Sequence, residues 1–256
     1  MRTFDRDLAG MARPEVEAAF AAGVPFLIPT GSVEQHGPHL PFGTDYLAAW
    51  SLANLAAERL GGVCVPFCPF GVTPIHMSYP GTITLEPATF QALLEEVADS
   101  LVAHGARRLA VVNWHELNSP SIDVATRRLA IRHAPAGVRV VVAEAHLLAK
   151  ERFGAAAGGL THGGEIEAYP VLHLQPAWAH LERAADPPPP GRAATMDAMR
   201  REAHVRPVLQ DVRQISPAGW YGQPANATPE KAARFMDDMA EALAQRITAA
   251  FEAVDP

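Results

Sequence analysis

Four short apolar runs punctuate the chain: VPFLIPT (24–30), VCVPF (63–67), RLAVVNW (108–114) and VRVVVAE (138–144). Their near-continuous hydrophobicity, without polar alternation, predicts strands of a parallel sheet covered on both faces. Segments with apolar residues at helical spacing lie between them. DYLAAWSLANLAAERL predicts a helix over 45–60 with Asp45 as its N-cap. EPATFQALLEEVADSLVAHG (86–105) ends on a glycine, and SPSIDVATRRLAIRHA (119–134) opens on a capping Ser-Pro. THGGEIEAYPVLHL (161–174) reads as a loop opening into a short helix at Gly164 or Glu165. TPEKAARFMDDMAEALAQRITAAFEA (228–253) predicts a long amphipathic helix, capped by Thr228 with Pro229 at its first position. AADPPPPGRAAT (184–195) reads as an extended, proline-rich surface loop. The alternation implies a single domain over 1–256 of class α/β, layered α/β/α around a central, mostly parallel sheet. Ligands of such sheets bind at the carboxyl ends of the strands.

Composition narrows the partners. The chain has 256 residues, long enough to bury a sizeable core, with 48% hydrophobic and 19% charged residues. A formal charge of −7 argues against a general nucleic-acid or anionic-membrane surface. The N-terminal segment lacks the apolar core of a signal peptide, and no run reaches the roughly 18 apolar residues of a membrane span. The expectation is a cytoplasmic protein acting on a small molecule. Cys64 and Cys68 sit in apolar surroundings and read as two buried free thiols. The eleven histidines are the unusual feature. His104, His133, His146, His173, His180 and His204 fall in helices or plain loops and read as structural.

The chemistry concentrates in IPTGSVEQHGPHLPFGTD (28–45), which follows the first predicted strand. Residues i and i+2 of an extended segment share a side, so Glu34 and His36 face one spot, flanking Gln35. Asp45, at a helix start, turns back toward it. His115 ends another strand and reaches the same crevice, and Glu167 in HGGEIE offers one more oxygen. Two imidazoles and three carboxylates without thiolates suit zinc first, with manganese or iron(II) as alternatives. Three carboxylates overcompensate one divalent cation, so charge balance favours two, with Asp45 as the bridging ligand. The competing reading is a buried Asp/Glu–His network holding no metal.

GSVEQHGPHLPFGTD strongly resembles the opening motif of the creatininase (creatinine amidohydrolase) family. SYPGTITL (78–85), NWHELN (113–118), HGGEIE (162–167) and GWYGQPANATPEKA (219–232) extend the resemblance over nearly the whole chain. It implies a layered α/β fold, a binuclear metal centre, hydrolysis of a non-peptide C–N bond in a cyclic amide or formamide, and assembly as a homo-oligomer, often a hexamer. Carried over by motif, Glu34, His36, Asp45 and His115 match ligand positions. Glu167 matches an acidic ligand, and His162 the histidine that serves in catalysis. Two departures stand out. Where the family usually has Asn-Gly-His-Gly-Gly-Asn, this chain has Asn113-Trp114-His115-Glu116-Leu117-Asn118. Creatininase proper carries a ligand glutamate at the position of Leu117, so either Glu167 or Glu116 completes this site; Glu167 is preferred. After Glu167 the usual Thr-Ser becomes Ala168-Tyr169.

The expected mechanism uses a metal-bridging hydroxide as nucleophile and His162 as proton donor to the leaving nitrogen. Glu116 or Glu165 would orient His162 or move protons. Trp114, Tyr79, Trp220 and Tyr221 are candidate pocket walls, with core packing an equal reading for each. His39 is a candidate to orient His36 or Asp45, and His76 to contact substrate, a neighbouring subunit or only its own loop. The alternatives are a peptidase trimming a short modified peptide of mycofactocin type, a deformylase, and a metal-binding protein without catalysis.

Overall fold

Four parallel strands, β1 (Phe26–Thr30), β2 (Val63–Cys64), β3 (Arg108–Asn113) and β4 (Arg139–Glu144), pair in the order β2-β1-β3-β4. They come from a computed structural model that describes residues 4–154, 161–184, 204–205 and 207–254. The apolar runs are strands, as read from the sequence, but the second stops after two residues. Pro66 has no N–H to donate to a ladder, so pairing cannot run on to 67.

Successive strand side chains point to opposite faces, and two cores result. Leu27, Ala110, Val112 and Val141 pack with helices α2 (Thr44–Leu60), α6 (Glu165–Leu174) and α7 (Pro229–Val254). Phe26, Ile28, Leu109 and Val111 pack against α3 (Pro87–Ala103) and α4 (Ser119–His133) on the other side. The three layers explain why the central strands are apolar: β1 is buried at every residue, whereas the edge strand β4, expected to be covered on both faces, has only Val141 buried and leaves Val142 exposed. Two further helices, α1 (Arg13–Ala21) and α5 (Ala145–Phe153), lack clear signals in the sequence. α5 begins on the residue after β4, with no turn residue between them. The proline-rich stretch read as a surface loop lies, beyond Ala184, outside the described residues. No described helix is long and apolar enough to cross a membrane. Cys64 is buried as expected, whereas Cys68 is only partly so; both are free.

The register aligns the carboxyl ends of three strands. Thr30 pairs with Asn113, and Asn113 with Glu144. Thr30 Oγ1 donates to Asn113 Oδ1 at 3.1 Å, and Asn113 Nδ2 to Glu144 Oε2 at 2.8 Å. This polar rung marks where the apolar sheet stops. Beyond it the backbone of Gly31 touches the first turn of α2. A Cβ on Gly31 would stand 2.6 Å from backbone atoms of Asp45 and Tyr46. Only glycine allows that approach, which holds Asp45 over the strand end. Gly31→Ala is therefore expected to destabilise the protein by about 1–3 kcal/mol through overpacking. A denaturant midpoint unchanged from wild type would show that α2 shifts freely, contrary to this account.

Candidate active site

The loop after β1 brings its ligand-type side chains to one buried point. Glu34, His36, Asp45 and His115 are 1%, 0%, 2% and 5% exposed. Asp45 lies in the first turn of α2, whose N-cap position is Gly43, so the expected N-cap role is corrected. Its carboxylate turns away from the helix end and into the site instead. Asp45 Oδ2 accepts from Ser32 Oγ at 2.9 Å and lies 2.9 Å from His115 Nδ1; Oδ1 lies 3.2 Å from His36 Nε2. His36 Nδ1 donates to the Glu34 carbonyl at 3.1 Å, which turns Nε2 toward Asp45 and toward Glu167 Oε2 at 3.8 Å. Glu34 Oε2 accepts from Thr73 Oγ1 and lies 3.4 Å from His115 Nε2.

Two sets of donors form here: Glu34, Asp45 and His115, and His36, Asp45 and Glu167. Within each set the donor atoms lie within 4.8 Å of one another. Asp45 belongs to both. A third such set joins Glu34 and His36 to His162. Glu116 belongs to none of the three among the described residues.

The electrostatics suit a bound cation. Among the described residues no lysine or arginine pairs with Glu34, Asp45 or Glu167. His36 Nε2 is buried without a hydrogen-bond partner, although Asp45 Oδ1 lies 3.2 Å away. A buried nitrogen aimed at carboxylates costs free energy unless something bridges them. In the metal-free protein protons do part of that work. Burial lowers the pKa of His36, but Asp45, Glu167 and Glu34 outweigh it and raise it to about 10. Burial also lowers that of His115, while Glu34 and Asp45 raise it to about 9. Burial pushes Glu167 up to about 7 against the pull of His36. Asp45 stays well below the usual carboxylate range: burial would raise it, yet the two imidazoliums prevail.

A cavity opens beside these groups. Its lining includes Glu34, Asp45, His115, Glu167, His162 and Glu116. His162 Nε2 lies 2.8 Å from the Gln35 carbonyl, and burial with the neighbouring His36 and His76 holds its pKa well below the ordinary value. Of the four aromatic candidates, Trp114 and Tyr221 line the cavity. Tyr79 and Trp220 do not. Tyr79 lies against Gly219 and donates to the Pro217 carbonyl at 3.4 Å, and Trp220 packs edge-on to His39. His39 is corrected as well: its Nε2 donates to the Gly163 carbonyl at 2.7 Å, fixing the loop of His162 rather than His36 or Asp45. Glu165 faces elsewhere, accepting from Tyr169 Oη and from Lys231 Nζ. Three contributors went unread in the sequence: Ser32 and Thr73, which hold the carboxylates, and His146, read as structural but lining the cavity. A serine or threonine hydroxyl carries no spacing signal. His146 gave none because α5 itself was unread.

The family model for creatininase, described as creatinine amidohydrolase, matches residues 9–247. The chain belongs to the creatininase family. Among curated creatininase-family relatives, the mycofactocin precursor peptide peptidase of Mycobacterium ulcerans (strain Agy99) is 31% identical over 232 residues, spanning 86% of this chain and 83% of its own. The creatinine amidohydrolase of Pseudomonas putida is 33% identical over 196 residues, 68% of this chain and 74% of its own. A solved structure of a mutant creatininase of Zn–Zn type superposes with a TM-score of 0.77 at 28% identity, covering 99% of this chain and 100% of that one. The layered fold around a parallel sheet is thus the creatininase fold, as the motifs implied.

Proposed function

We propose that this creatininase-family hydrolase is a metal-dependent amidohydrolase that cleaves a non-peptide C–N bond, of cyclic amide or formamide type, in a small molecule. The observation that carries this is Asp45, shared by two three-residue donor sets. Glu34, Asp45 and His115 would hold one divalent cation, and His36, Asp45 and Glu167 a second. The donors are nitrogen and oxygen only, which suits zinc first and manganese or iron(II) next. Two cations balance three carboxylates and satisfy the buried nitrogen of His36. Bound there, such a pair supplies water activation and polarisation of the substrate carbonyl.

The chain's own groups do the rest. His162 is kept neutral and offers Nδ1, 3.9 Å from Glu34 Oε1, as the atom that takes a proton and returns it to the leaving nitrogen. Trp114 and Tyr221 wall a planar substrate. Glu116 lines the cavity and lies close enough to Glu144 to raise its pKa, after burial. We assign Glu116 to proton movement or to the substrate's N–H groups. A homo-oligomer, hexameric by resemblance, and a cytoplasmic location belong to the same reading. A second reading, trimming of a short modified peptide, is favoured by the 31% identity to a mycofactocin precursor peptide peptidase. Elemental analysis together with hydrolysis assays on creatinine, small lactams, formamides and short peptides separates them. About two equivalents of metal with amide turnover supports the first reading; peptide turnover alone supports the second; absence of metal after incubation with zinc, manganese and iron(II) defeats both.

Metal uptake has a pH signature. Ligand imidazoles must be deprotonated, and the raised values of His36 and His115 mean both rings are protonated at pH 7.5 in the metal-free protein. Loading at pH 7.5 is expected to release about two protons per chain. Affinity then weakens as pH falls, since protons compete with the cation, and levels off above about pH 10, the higher of the two values. Calorimetry in buffers of different ionisation enthalpy measures the release; an enthalpy independent of buffer would contradict the assigned ligands.

A further inference from the structure

We propose that His76 is a second catalytic residue, a neutral hydrogen-bond donor whose Nε2–H faces the cavity, and that Gln35 is the positioning residue that fixes it so. The proposal rests on the hydrolase reading above. It follows from counting donors and acceptors around one amide. Gln35 Oε1 accepts from Gly37 N–H at 3.1 Å, and Gln35 Nε2 donates to the Gly219 carbonyl at 2.7 Å. These two contacts orient the amide, because a flip would set oxygen against oxygen and nitrogen against an N–H. Gln35 Nε2 carries a second proton. Two ring nitrogens stand 3.1 Å from it: His76 Nδ1 and His162 Nε2.

His162 Nε2 also lies 2.8 Å from the Gln35 main-chain carbonyl, which can only accept. That nitrogen therefore carries a proton and cannot take another. The second amide proton goes to His76 Nδ1, which must present a lone pair. The single proton of a neutral His76 ring then sits on Nε2. That atom is 3.6 Å from Glu34 Oε1, beyond hydrogen-bond reach, and His76 lines the cavity while only 4% exposed.

The two rings hold the same tautomer but show the cavity opposite edges. Their centroids are 4.6 Å apart. Around Glu34 Oε1, His162 offers the lone pair of Nδ1 at 3.9 Å and His76 the N–H of Nε2. One edge suits proton transfer. The other suits a carbonyl oxygen that gains negative charge, where a preorganised neutral donor in a dry site is most effective. Neutral imidazole is a recognised electrophile of this kind.

The test uses zinc-loaded protein with ¹⁵N-labelled histidine. Long-range ¹H–¹⁵N spectra should show His76 Nδ1 unprotonated and Nε2 protonated, and Gln35→Leu should mix the His76 tautomers at unchanged zinc content. A merely structural Gln35 would leave them unmixed. His76→Phe should lower kcat about 10²–10³-fold on whichever probe amide the wild type hydrolyses, with zinc content unchanged. His76→Gln, which can extend an amide N–H to a similar point, should recover at least about tenfold of that loss. Acetohydroxamate, an oxygen ligand needing no turnover, should bind about tenfold more weakly to zinc-loaded His76→Phe. A proton on Nδ1 of wild-type His76, or equal acetohydroxamate affinity in His76→Phe, overturns the proposal. A protein that takes up no zinc instead overturns the hydrolase reading, and the same spectra of the metal-free protein still decide the tautomer.

Discussion

Asp45→Ala is expected to strip both metal ions from the protein and lower turnover at least about 10³-fold. Its carboxylate is the common member of the two donor sets, with Oδ1 toward His36 and Oδ2 toward His115. Removing it leaves two donors in each set, too few for tight binding of a divalent cation. Glu34 and Glu167 each belong to only one of these sets. Glu34→Ala or Glu167→Ala should therefore retain about one equivalent where Asp45→Ala retains almost none. The contrast matters more than any single variant. Loss of the fold would remove metal from all three alike, and circular dichroism guards against that. Elemental analysis showing two equivalents in Asp45→Ala would end its proposed role as the shared ligand. One equivalent would mean that the third donor set, with His162, takes over.

The residues that the structure gathers into candidate donor sets stood out because most of them lie near each other in sequence or end predicted strands. Glu34 and His36 share a side of one extended segment, Asp45 begins the next helix, and His115 follows β3. The three-layer fold was legible for a similar reason: strands buried on both faces cannot alternate, so their runs stand out. Roles that depend on distant backbone were not legible. Tyr79 and Trp220 lie in motifs of the family but support neighbouring loops, and only the packing against Gly219 and His39 shows it. His39 sits three residues from His36, yet its partner is a carbonyl 124 positions away. Thr73 reaches Glu34 across 39 residues from a loop with no helical or strand pattern. A side chain's sequence neighbours say little about such contacts, since the bond depends on where two loops cross.

His162→Ala is expected to keep two metal ions and lose turnover by about 10²–10⁴-fold, the usual worth of a positioned proton carrier. The ring is buried against His36 and His76, with centroids 4.4 and 4.6 Å away, and its Nε2–H is held by the Gln35 carbonyl. Both surroundings disfavour the imidazolium, so the resting ring is neutral. A neutral ring cannot begin as the acid. It must first accept a proton at Nδ1 and then release it to the leaving nitrogen, so one residue serves both halves of the reaction. Its removal should therefore lower kcat with little change in KM, because the lost contact operates after the substrate is seated. Imidazole added to His162→Ala should restore part of the rate by occupying the vacated space, whereas an equal concentration of pyrrole, which has no basic nitrogen, should not. Full turnover in His162→Ala would exclude it as the proton carrier. Loss of one metal equivalent would instead place its nitrogen among the ligands, through the set it forms with Glu34 and His36.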